Sequence, residues 1–137
     1  MSRWALLIAA AMGYAALGAA PPAAAAPDAM RGEAIYARCQ ACHALSFDRV
    51  GPRHCGLLGR PAGSVPDYGY SAALKRSGIV WDEKSLDRFL AAPMKAVPGT
   101  SMTYAGIPDR QERADLIAYL RQVDQTPACR DSAPSAR

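Results

Sequence analysis

Several things are missing or scarce in this chain, and each absence narrows the reading. No stretch of any length alternates apolar and polar residues as a half-buried strand would, and no segment repeats. A sheet-built domain and a repeat array are therefore not expected. Charge of one sign is concentrated nowhere. The 16 Lys and Arg are interspersed with 12 Asp and Glu, and without a long basic run there is no footprint for nucleic acid. Histidine is limited to His43 and His54, and aromatic residues make up only 7% of the chain. Charge is missing altogether between Arg3 and Asp28.

That charge-free stretch reads as an export leader. It has a short basic start, an apolar region from about Trp4 to Leu17, and small residues suited to cleavage. The leader is expected to cover residues 1–26, cut between about 20 and 27, with Pro21, Pro22 and Pro27 blurring the bond. A buried helix is the poorer reading, because an Ala/Pro tract has little to pack and Pro21-Pro22 would end it. An uncleaved anchor is the other one. The run approaches the ~20 residues that a membrane span requires, but the prolines interrupt it. Removing the leader leaves residues 27–137, about 111 residues, enough for one small domain. Arg3 leaves with it, so the net charge falls from +4 to about +3. An exported chain meets an oxidising compartment, where Cys39, Cys42, Cys55 and Cys129 are not expected to stay as four free thiols.

What is present is helical at both ends and irregular between. Asp28 can cap a first helix whose Gly32, Ile35, Tyr36 and Cys39 share one face. Residues 46–70 are rich in Gly and Pro, show no sustained period, and read as a long loop around something functional. A short helix capped by Ser71 and stopped by Gly78 is expected next. It is followed by one opening at Asp82, with Leu86, Phe89 and Leu90 as its apolar face and Pro93 at its exit. Asp109 and Glu112 are spaced as a capping box. The helix behind them carries Leu116, Tyr119, Leu120 and Val123 at i, i+3, i+4 and i+7. The tail from about residue 125 is polar and reads as loose apart from Cys129. So little apolar helix surface leaves the domain short of burial energy, a shortage that a large apolar cofactor would relieve.

The densest chemistry lies in "ARCQACHAL", residues 37–45. Three readings compete. A structural zinc needs four ligands in tetrahedral array. Cys39, Cys42, Cys55 and either His54 or Cys129 could supply them only through an awkward adjacent pair at 54 and 55. A thioredoxin-type dithiol needs a β-α-β context that is not visible. The third reading is C-x-x-C-H, the haem c attachment signature. Thiols at i and i+3 reach two vinyl groups on one porphyrin edge, and His43 then places an imidazole nitrogen under the iron. Behind an export leader this reading is the most specific. The second axial ligand should come from an irregular segment far along the chain. Met30 lies too near the His43 side, and Met94 directly follows a helix end. Met102, beyond the Pro98-Gly99 turn, is the favoured candidate. His54 is the other histidine, only eleven residues past His43, a short path to the opposite haem face.

The segments "GEAIYARCQACH", "GLLGR", "GYSAALKRSGIVW", "VPGTSMTYAGI" and "ERADLIAYL" together resemble the class I c-type cytochromes of the mitochondrial-like type, in order and spacing, over about residues 31 to 123. The resemblance implies an all-α cytochrome c fold. Its N- and C-terminal helices cross, with Gly32 and Tyr36 meeting Leu116 and Tyr119, and long loops wrap one covalently bound haem c. It implies Cys39 and Cys42 as the thioether residues, and His43 and Met102 as the axial iron ligands. Pro52 would accept the His43 N–H. Arg60, Tyr70 and Trp81 would serve a buried haem propionate, which is costly if left uncompensated. Thr100 would sit beside the methionine sulfur.

The departures from the family are specific. His54 stands where an apolar residue is common, and Cys55 where a histidine often is. With Cys39 and Cys42 taken by haem, Cys55 and Cys129 are expected to form a disulfide. The rim of lysines is thin, with Met94 and Ser101 at frequent lysine positions and Lys95 remaining, so electrostatic steering toward an acidic partner should be weak. The expected function is that of a soluble, periplasmic, monomeric electron carrier rather than an enzyme. Its partners would be redox proteins: an oxidase, a reductase or a dehydrogenase. No nucleic acid is expected, and no membrane unless the leader is kept as an anchor. The alternatives are a haem subunit of a periplasmic dehydrogenase, or a peroxidase or sensor if Met102 does not ligate.

Overall fold

The computed structural model describes residues 23–131. The apolar part of the leader and the start of the expected cleavage region, through residue 22, lie outside the described residues, as does the tail from residue 132. Among the described residues six helices follow in order: α1 (Ala29–Tyr36), α2 (Ala72–Lys75), α3 (Glu83–Ala91), α4 (Pro93–Ala96), α5 (Arg110–Val123) and α6 (Pro127–Arg130). Among the described residues the extended structure is one isolated antiparallel bridge between Pro61 and Val80. No helix among them is long and apolar enough to cross a membrane.

Local sequence sets the helix ends. The Asp28 carboxylate accepts from the backbone N–H groups of Met30 and Arg31 and starts α1. Ser71 Oγ accepts from Leu74 N–H, and Gly78 follows α2 in the left-handed region at φ 67°. In α3, Asp82 and Ser85 cap each other reciprocally. The box expected at Asp109 and Glu112 is only half made. Asp109 accepts from Glu112 N–H at 2.7 Å, but the Glu112 carboxylate turns away to accept from Nη1 and Nη2 of Arg38, each at 2.8 Å. A cation across the helix crossing wins that side chain. Pro93 does not simply end α3. It occupies the first turn of α4, where a missing N–H costs nothing. The segment expected to be loose after residue 125 contains α6, with Cys129 buried within it.

α1 and α5 form the main packing pair. Gly32 makes the crossing possible, since a Cβ there would lie 2.7 Å from the Tyr119 Cβ and closer still to the Asp115 backbone. Ile35 and Tyr36 from α1 join Leu116, Ile117 and Leu120 from α5 in one core with Leu86, Phe89 and Leu90 of α3. The crossing is also tied by a polar anchor. Asp115, 3% exposed, accepts from the Asp28 backbone N–H, Arg31 Nε and Gln111 Nε2 at 2.8, 2.8 and 3.0 Å. Arg113 joins α5 to α3 through Asp87 at 2.7 Å and holds the carbonyls of Ile107 and Pro108 at 2.8 Å. This fixes the end of the loop that carries Met102.

Candidate functional site

α1 ends at Tyr36, earlier than its apolar periodicity suggests, and Cys39 and Cys42 lie in the tight turns that follow. Those turns are held by Cys39 N–H to the Tyr36 carbonyl at 2.8 Å and by His43 N–H to the Cys39 carbonyl at 2.9 Å. Both cysteines are free thiols, Cys39 half-buried and Cys42 exposed. Withdrawal from water raises the Cys39 thiol pKa.

His43 is 8% exposed. Its Nδ1–H donates to the Pro52 carbonyl at 2.7 Å, which leaves Nε2 as the free lone-pair nitrogen. Burial lowers the His43 pKa, and the Pro52 bond opposes that shift. The neighbouring Gly51 is required, because a Cβ at this position would sit 2.6 Å from both ring nitrogens. His54 lies on this same side of the molecule, its ring stacked on His43 with centroids 4.2 Å apart and planes 22° from parallel. Its Nδ1 is 3.1 Å from the Tyr36 hydroxyl. Burial, then the His43 ring and the Arg60 charge, push its pKa down to about 3, so it is neutral at ordinary pH.

Arg60 is bound through Nη1 to the Cys55 carbonyl at 3.0 Å and through Nη2 to the Arg53 carbonyl at 2.8 Å. Trp81, 6% exposed, is joined to its segment by Trp81 N–H to the Arg60 carbonyl at 3.0 Å and by Gly59 N–H to the Trp81 carbonyl at 2.7 Å. Tyr70 is half-buried and interacts electrostatically with Arg60. The structure thus pairs the Arg60 and Trp81 backbones and brings Tyr70 within electrostatic reach of Arg60. Met102 is half-buried and packs against the core, while Met94 is 51% exposed and Met30 81% exposed. The Thr100 hydroxyl accepts from the Met102 backbone N–H at 3.2 Å, fixing the turn that presents Met102. Cys55 and Cys129 are joined as a disulfide, with Cα atoms 5.2 Å apart.

This set of groups fits a covalently held porphyrin. Two free thiols three residues apart precede an imidazole whose Nδ1–H is already bound and whose Nε2 is available as a ligand. Half-buried Leu58, Leu74, Ile79 and Met102 rest against the core with apolar surface left to cover. Sequence comparison points the same way, for the family model described as Cytochrome c matches residues 29–124. The chain belongs to the cytochrome c family. Cytochrome c2 of Agrobacterium tumefaciens is 46% identical over 99 residues, covering 68% of this chain and 89% of the relative. Cytochrome c2 of Rhodomicrobium vannielii is 42% identical over 113 residues, covering 80% and 90%. Among solved structures, cytochrome cH from Methylobacterium extorquens superposes with a TM-score of 0.68 at 45% identity, covering 69% of this chain and 98% of that one. Members of this family bind one covalent haem c and carry electrons between redox partners, and the helical architecture with its crossed terminal helices is the family's.

Sequence reasoning missed three features of the site: the stack of His54 on His43, the close approach of Gly51, and the Asp115 anchor. Only the Gly51-Pro52 dipeptide beside a C-x-x-C-H motif carried a signal, since a glycine there allows backbone to approach a ring.

Proposed function

We propose that this cytochrome is a soluble periplasmic carrier that moves one electron at a time between redox proteins, with Cys39 and Cys42 as its thioether residues and His43 and Met102 as its axial ligands. The bound haem supplies an Fe(III)/Fe(II) couple. The observation that carries the ligand assignment is the His43–Pro52 hydrogen bond. It selects the tautomer with Nε2 unprotonated, orients the ring and raises its donor strength. Met102, on a turn held by Thr100 and closed off by the Arg113 bonds, is the methionine best placed to supply a thioether. That soft neutral ligand favours the reduced state. Arg60, Tyr70 and Trp81 would compensate a buried propionate, Arg60 bringing a charge that already lies in protein surroundings. Export is supported by the leader pattern and by the Cys55–Cys129 bridge, which suits an oxidising compartment.

A redox titration of protein drawn from the periplasm, followed by visible absorption, tests the reading. The haem should resist acid-acetone extraction from the polypeptide. The ferric protein should show an iron–sulfur band at the red end of the visible spectrum, and Met102→Ala should abolish that band and lower the midpoint potential. Extraction of the pigment would refute thioether attachment, and a band that survives Met102→Ala would refute Met102 as ligand.

A further inference from the structure

The proximal side of the site holds a second imidazole for which electron transfer itself has no need. His54 stacks on His43 at 4.2 Å, and its Nδ1 lies 3.1 Å from the Tyr36 hydroxyl. Tyr36 is 1% exposed and is fixed in turn by Tyr119, with ring centroids 5.2 Å apart. The hydrogen bond from His43 Nδ1–H to the Pro52 carbonyl fixes where that N–H points, and the close backbone of Gly51 limits how far the ring can swing, but the bond alone does not set the plane of the ring. A near-parallel ring in contact opposes the remaining motion, because offset stacking is a preferred arrangement of ring pairs. The Tyr36 hydroxyl, anchored in the α1–α5 core, keeps the His54 ring from turning with it.

We propose that His54, held by Tyr36, is a positioning residue that sets the plane of the His43 imidazole. The inference rests on His43 being the axial ligand. In a metal centre of this kind the ligand plane governs how unpaired spin spreads over the macrocycle, so a change of plane is visible apart from any change in stability.

The test uses ferric holoprotein and reads the shifts of the haem methyl protons by NMR together with the midpoint potential. His54→Leu keeps an apolar filler of similar bulk but has no ring to stack. His54→Phe restores a ring without the hydrogen bond, and Tyr36→Phe removes only the anchoring hydroxyl. The Leu variant should change the order or spread of the methyl shifts and move the potential. The Phe variant at 54 should recover much of the native pattern, and Tyr36→Phe should fall between. A His54→Leu protein with a lowered melting temperature but the native methyl pattern would show a mere filler and overturn the proposal. So would equal displacement by the Leu and Phe variants. Should His54→Leu fail to assemble, a native methyl pattern in Tyr36→Phe would overturn it alone. A His43→Ala control that kept the wild-type low-spin spectrum would refute the ligand assignment itself, and the positioning role with it.

Discussion

Gly51 shows how much of the site depends on a missing atom. A methyl group here would press within 2.6 Å of the His43 ring nitrogens. Gly51→Ala therefore forces the imidazole to tilt or its loop to move, and the Pro52 bond is the contact that gives. Overpacking of this kind costs about 1–3 kcal/mol. The variant should show a lower denaturant midpoint and an altered ferric spectrum, whereas Gly69→Ala, with nothing within 4 Å of its added Cβ, should show neither. At this scale the sequence was only partly legible. The C-x-x-C-H pattern of Cys39, Cys42 and His43 could be read because it is a spacing along the chain. The stack of His54 could not, because it depends on a loop folding residues 46–54 back beside the motif.

At the scale of elements, the α1–α5 crossing is both an apolar contact and an ionic one. Asp115 is held ionised chiefly by its hydrogen bonds from Arg31, and its pKa falls from 3.8 to about 2. A carboxylate whose folded pKa is depressed contributes stability that is fully present above its unfolded pKa and is lost as pH falls through the folded value. Urea midpoints of the wild type and Asp115→Asn should therefore differ most above about pH 4, with the gap narrowing between pH 4 and pH 2. A gap constant across that range would remove Asp115 from the ionic account. The helices themselves were readable from period and caps, and α1, α3 and α5 bury the faces those periods mark. The capping box at Asp109 was misread because Glu112 has a better partner, Arg38, 74 residues away in sequence. Local spacing cannot weigh a competitor that arrives by tertiary packing.

For the whole molecule, the Cys55–Cys129 bridge ties the loop beside His54 to α6, with Asp124 Oδ1 accepting from Gly56 N–H at 2.7 Å alongside it. The bridge closes 74 residues. By the chain-entropy argument this is worth up to about 4.5 kcal/mol. The double variant Cys55→Ala/Cys129→Ala should unfold at lower denaturant while keeping its haem spectrum, since neither sulfur belongs to the haem site. Loss of the spectrum under native conditions would instead mean that the bridge holds the His54–Arg60 loop in place.

The sequence by itself determined the C-x-x-C-H pattern, the N-cap residues Asp28, Ser71, Asp82 and Asp109, and the membership of this chain in its family. All of these follow from residues near one another in the chain or from their order. Tertiary structure alone decided what surrounds His43, where Glu112 spends its charge, and how Asp115 locks the crossing. Those outcomes depend on which distant groups come within hydrogen-bonding or stacking distance once α1 and α5 pack across Gly32.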